Sequence, residues 1–123
     1  MRLIKIAALS LLLGSTYAAA GGCVNPEAPA IPDGASSTME QMIASQKTVK
    51  TFQAANIEYM ACLEPGLTAA EAQLKAAPKD EKAAAQTNFE ELQATYNGAV
   101  SAEEEVAGQF NAAIREYKAA NPS

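Results

Sequence analysis

Apolar side chains recur at helical spacing from Met39 through Met42, Ile43, Val49, Phe52, Ile57, Tyr59 and Met60 to Leu63, and the positions between them are mostly polar or alanine. This stripe predicts an amphipathic helix over about 37–64. Ser37, with Glu40 three residues on, reads as a capping box at its start, each side chain answering an end-of-helix backbone donor. Pro65-Gly66 reads as its stop. Thr68 with Glu71 repeats the capping pattern, so a short connecting helix is expected over about 69–76, interrupted by Pro78.

The longest regularity follows. Phe89, Tyr96, Glu103, Phe110 and Tyr117 fall seven apart, Leu92, Ala99, Val106 and Ala113 fill the intervening seam, and Val100 and Ile114 lie beside them. Consecutive heptads of this kind predict one long helix over about 79–119, packed as in a coiled coil, with a tail at 120–123. Asn97-Gly98 is a turn dipeptide and Ser101 with Glu104 a potential cap, so a break there is the competing reading. A break and restart would lose the phase of the seam; the phase survives across Gly98, which favours continuity.

Two long helices with a compact connection make an antiparallel hairpin. With Leu63 set opposite Phe89, Asn56 faces Tyr96 and Val49 faces Glu103. Gln46, Lys50 and Gln53 then surround that glutamate, and together with Asn56 and Glu103 they form a structural polar layer that costs stability and fixes register.

Before Ser37 there is no helical period. Residues 21–36 hold Gly21, Gly22 and three prolines spaced by three, Pro26, Pro29 and Pro32, and end in Asp33-Gly34. A polyproline helix has three residues per turn, so these prolines share one face. Ser37 to Cys62 spans ~37 Å along a helix, and Cys23 to Ser37 spans ~43 Å at the polyproline rise. The near match predicts an extended strap running back along the first helix, its prolines on aromatic rings and Cys23 meeting Cys62. The fold class is therefore all-α: a two-helix hairpin with a short connecting helix and a proline-rich strap.

Residues 1–20 read as an export signal: Arg2 and Lys5 ahead of an apolar run from Ile6 to Leu13, then Ala18-Ala19-Ala20 as a cleavage site. The apolar run is too short to span a bilayer of ~30 Å, so no transmembrane segment is expected; a retained N-terminal helix is the alternative. The whole chain carries 9 basic and 14 acidic residues, a net charge of −5. Loss of Arg2 and Lys5 makes the exported chain more acidic still, which argues against nucleic acid and anionic membrane surfaces as partners.

Two cysteines in a small exported chain read as one disulfide, Cys23 to Cys62. Acylation of Cys23 is the rival reading, although no leucine stands three residues before it and Cys62 would be left odd. Catalysis finds little to work with. The chain has no histidine, so the commonest general base and nucleophile partner is missing, and two cysteines alone make no ordinary zinc site. Glu90-Glu91 and Glu103-Glu104-Glu105 are adjacent runs whose side chains diverge on a helix and cannot converge as an acid–base pair. No catalytic, cofactor or metal residue is assigned. The aromatic ladder and Met39, Met42 and Met60 are read as core.

Ile31-Pro32-Asp33-Gly34, then Met42, Gln46, Val49-Lys50, Asn56, Tyr59 and Cys62-Leu63, with Phe110-Asn111, Ile114-Arg115 and Tyr117-Lys118, form a pattern over most of the mature chain. In this the chain resembles small uncharacterised exported helical proteins of Gram-negative bacteria. The resemblance implies a periplasmic or secreted protein and brings no activity with it. The expected function is that of a non-enzymatic structural or protein-interaction module of the cell envelope, monomeric or weakly homodimeric, with an unknown protein partner and no cofactor. A holdase-like periplasmic chaperone and an outer-membrane lipoprotein anchored through Cys23 are the alternatives.

Overall fold

A computed structural model describes residues 22–123, so the export-signal reading of residues 1–20 lies outside the described chain. The described residues form an extended N-terminal strap, a 3₁₀ turn at Gly34–Ser36, and two long helices, α1 (Met39–Ala76) and α2 (Lys82–Ala120), packed together as a hairpin.

The first helix starts one residue later than Ser37 and Glu40 suggest. Thr38 is the cap: Gln41 N–H donates to Thr38 Oγ1 at 3.2 Å and Thr38 N–H donates to Gln41 Oε1 at 2.8 Å. Ser37 is already engaged, its hydroxyl donating to the Asp33 carbonyl at 2.6 Å and its N–H to Gly34 at 3.4 Å. Those bonds close the 3₁₀ turn, and the capping role passes to the next hydroxyl.

The helix also ends later than expected. Pro65-Gly66 does not stop it: α1 continues through Pro65 to Ala76, and the separate helix over 69–76 is its last two turns. Proline in a helix interior costs about 3 kcal/mol. Here the buried seam runs through the proline, from Asn56 to Leu63 to Ala70 at steps of seven, and burial on α2 carries the helix past a local stop signal. Ala61, whose carbonyl loses its amide partner to the proline, is exposed and can be hydrated. The true stop is Pro78, which forces Ala77 into extended backbone (φ −64°, ψ 131°). In α2, Asn97 and Gly98 lie inside the helix on its exposed side, and the continuity read from the heptads holds.

The buried positions of α1 from Met42 to Leu63 are Met42, Ser45, Val49, Phe52, Asn56, Tyr59 and Leu63, alternating by three and four, with Ala70 seven residues further on, the spacing of a coiled-coil seam. In α2 the fully buried set is Ala99, Val106 and Ala113. Phe89, Tyr96, Phe110 and Tyr117 are only half-buried and flank that centre. The register accordingly slips by three residues from the one expected. Asn56 lies against Ala99 rather than Tyr96, and Val49 packs on Val106 rather than facing Glu103. Small side chains occupy the centre because a third segment must fit there too.

That segment is the strap, which docks through Cys23 and Ile31. Cys23 is buried with Tyr59, Leu63 and Ala99; Ile31 packs on Val49, Phe52 and Val106. The prolines are half-buried, with Pro26 and Pro29 along the flank of α1 at Lys47, Thr48, Phe52 and Ala55. Cys23 is bonded to Cys62, with their Cα atoms 5.6 Å apart and 39 residues between them in sequence. From Cys23 to Gly34 the strap reaches ~34 Å at a polyproline rise, and the stretch of α1 from Cys62 back to Met42 measures ~30 Å. At its far end Gly34 sits directly on the backbone of Ala113: a Cβ there would lie 1.8 Å from the Ala113 carbonyl oxygen. Asp33 holds the turn, accepting from Ala35 N–H at 3.2 Å and from the Ser36 hydroxyl at 2.9 Å.

Two outcomes test this clamp. Cys62→Ser releases a loop whose closure is worth about 2–4 kcal/mol; thermal melts should fall by about 10–20 °C while far-UV helicity at low temperature is kept. Gly34→Ala, with the disulfide intact, should cost about 2–3 kcal/mol in chemical denaturation, because a backbone carbonyl cannot move aside as a side chain can.

Candidate functional site

The strap covers one side of the hairpin. Pro32 and its neighbours lie along Gln41, Ala44, Ser45 and Thr48 of α1 and along Gln109, Ala112, Ala113 and Glu116 of α2. On the other side of the same seam no chain segment among the described residues lies across the two helices. At its open end a groove of about 370 Å³ runs between Met39, Ile43 and Gln46 of α1 and Phe110, Ile114 and Tyr117 of α2. Met39, Ile43 and Ile57 remain 58%, 46% and 61% exposed, a poor outcome for large apolar residues of a small protein unless the surface is used.

The expected polar layer is partly assembled. Asn56 is 1% exposed; its Nδ2 donates to the Ala99 carbonyl at 2.9 Å and, weakly, to Glu103 Oε2 at 3.5 Å. Glu103 is half-buried beside it. Gln46 and Lys50 are exposed and Gln53 half-buried, and none of the three is hydrogen-bonded or ion-paired to Glu103. The three-residue slip explains this, since Val106 takes the place opposite Val49 that Glu103 was expected to fill. Gln46, Lys50 and Gln53 lie instead along the open side, and Asn56 is the layer's one fully interior member.

Its amide is half satisfied, because Asn56 Oδ1 finds no donor among the described residues. A buried, one-sided amide in a seam of this spacing fixes register at a cost in stability. Ser45 Oγ is the other buried oxygen without a partner, and no motif in the sequence distinguishes it from the neighbouring alanines.

The remaining carboxylates are surface groups. Glu90 accepts from Gln86 at 2.6 Å and Glu105 from Gln109 at 3.2 Å, while Glu71 pairs with Lys75 at 3.0 Å, all one turn apart along exposed helix. Such pairs add a few tenths of a kcal/mol. Among the described residues no group of three histidine, cysteine or acidic side chains is placed to share a metal ion, and no helix is long and apolar enough to cross a membrane. The site therefore consists of a surface: two apolar ends, Ile43 with its groove and Ile57, separated by Lys50, Gln53 and Glu103.

A sequence signal for this surface exists. The apolar stripe of α1 is wider than one seam, since Met39, Ile43 and Ile57 fall outside the alternating three-and-four set that packs on α2. No protein-family model matches the chain, and neither does any curated protein or solved structure.

Asn56→Leu should raise the unfolding free energy by about 1–2 kcal/mol, because an unpartnered buried carbonyl leaves the core. Equilibrium denaturation checks the gain; unchanged or lower stability would show that the amide is better satisfied in solution.

Proposed function

We propose that the protein is an exported, non-enzymatic interaction module of the cell envelope that presents the uncovered side of its hairpin to another protein. The observation that carries this reading is the asymmetry of the two sides. One is covered by a covalently fastened strap, with Val24 its one large exposed apolar residue among the described residues; the other leaves Met39 and Ile43 exposed at a formed groove and Ile57 exposed two heptads further along α1. A disulfide suits an oxidising compartment, in keeping with the export signal read from residues 1–20. The sulfur of Cys23 is committed to Cys62, which speaks against the lipid-anchored alternative.

Met39 and Met42 in the groove also suit a holdase, because flexible thioether side chains adapt to varied clients. Site-specific photo-crosslinking in cells exporting the protein separates the two readings. A photoreactive residue at Ile43 or Ile57 should give one or two discrete adducts, whereas one at Glu58, exposed on α1, should give none. A smear of many adducts would favour the holdase, and equal labelling at all three positions would remove the interaction face.

A further inference from the structure

Resting on that reading of the open face, we infer that its occupant is a second copy of this chain, packed so that two hairpins form a four-helix bundle. The argument begins with periodicity. Ile43, Lys50 and Ile57 stand seven apart on α1, and Val100, Ala107 and Ile114 stand seven apart on α2. Heptad spacing outside a helix's own seam is the mark of a second seam, and bundle helices carry such wide stripes because each touches two neighbours.

Charge selects the arrangement. The Asn56–Ala99 contact sets the levels along the hairpin: Ile43 lies within a turn of Ile114, with which it shares the groove, Ile57 within a turn of Val100, and Lys50 within a turn of both Ala107 and Glu103. A two-fold axis parallel to the helices lays α1 of one copy against α2 of the other and preserves these levels. Each Lys50 then meets Glu103 of the second copy, between an apolar layer at either end. A two-fold axis across the helices would instead bring Lys50 to Lys50 and Glu103 to Glu103. Within one copy neither residue has an ion-pair partner among the described residues, so both charges are free for the contact.

The area is adequate. From Met39 to Met60 the face is about 32 Å long, and two helices side by side are about 20 Å wide, giving roughly 650 Å² per copy. Specific interfaces take about 600–1,000 Å² from each partner. This face lies at the lower end of that range, with a charged middle, which suits a reversible rather than an obligate dimer.

Sedimentation equilibrium of the oxidised protein from about 1 to 200 μM tests the inference. The native chain should dimerise in that range. Lys50→Glu should weaken dimerisation at least about tenfold, and Lys50→Glu combined with Glu103→Lys should restore it to within about threefold. Ile57→Glu should abolish it, while a substitution at Glu58 should not, with circular dichroism showing that each variant is folded. A native chain that stays monomeric throughout overturns the dimer. So does a charge swap that fails to restore association in a folded variant. The crosslinking experiment distinguishes the failures: adducts at twice the monomer mass support self-association, discrete adducts of another mass leave the interaction face standing with a different partner, and no adducts from Ile43 or Ile57 remove both.

Discussion

A chain rich in alanine and without tryptophan must bring its backbones close together to exclude water, because its side chains cannot bridge a wide gap. The approach of Gly34 to the Ala113 carbonyl is the tightest expression of that constraint. With Ala99 beneath Cys23 and Ala113 beneath Gly34, the strap sinks into the groove between the helices at both ends, and Ile31 reaches Val49, Phe52 and Val106 between them. Larger residues at either alanine would lift the strap and expose the few apolar side chains the chain possesses. The disulfide reinforces a fit that the small residues make possible.

The same constraint explains which features were legible in the sequence. The hairpin, the unbroken α2 and the strap tied to Cys62 follow from period and length, which depend on backbone geometry alone. The register departs from the heptad expectation because Ala99, Val106 and Ala113, not the aromatic residues, hold the centre of α2; rings at Phe89, Tyr96, Phe110 and Tyr117 in that place would hold the strap away. Pro65-Gly66 misled for a related reason: a local stop signal of about 3 kcal/mol is outweighed when Leu63 and Ala70 on either side stay buried. The Ser37 cap was displaced by a competing bond to Asp33 that no helix-end pattern encodes. Of the polar layer, the interior place of Asn56 is legible from the stripe of α1. Its contact with Glu103 and the outward placement of Gln46 and Lys50 are not, because both depend on the register, and the expected one sets Asn56 opposite Tyr96.

Coverage of one side gives the other its character. A bare two-helix hairpin would expose apolar flanks on both sides and pair promiscuously. The strap removes one of them and leaves a single face, divided into apolar ends and a charged middle. In the contact proposed for this face, specificity would come from that middle, since like charges brought together penalise a wrong partner while Ile43 and Ile57 accept almost any apolar surface.

Both cysteines precede α2 in the chain, which allows the disulfide to form ahead of the last helix. A polypeptide that enters an oxidising compartment N-terminus first presents Cys23 and Cys62 before the residues of α2 have arrived. The covalent link can therefore close on α1 and the strap alone, turning two segments into one trough with Tyr59, Leu63 and Ile31 along it. In a chain exported this way the last helix would meet a surface already formed, and the slow search for long-range contacts would shorten to the docking of one helix.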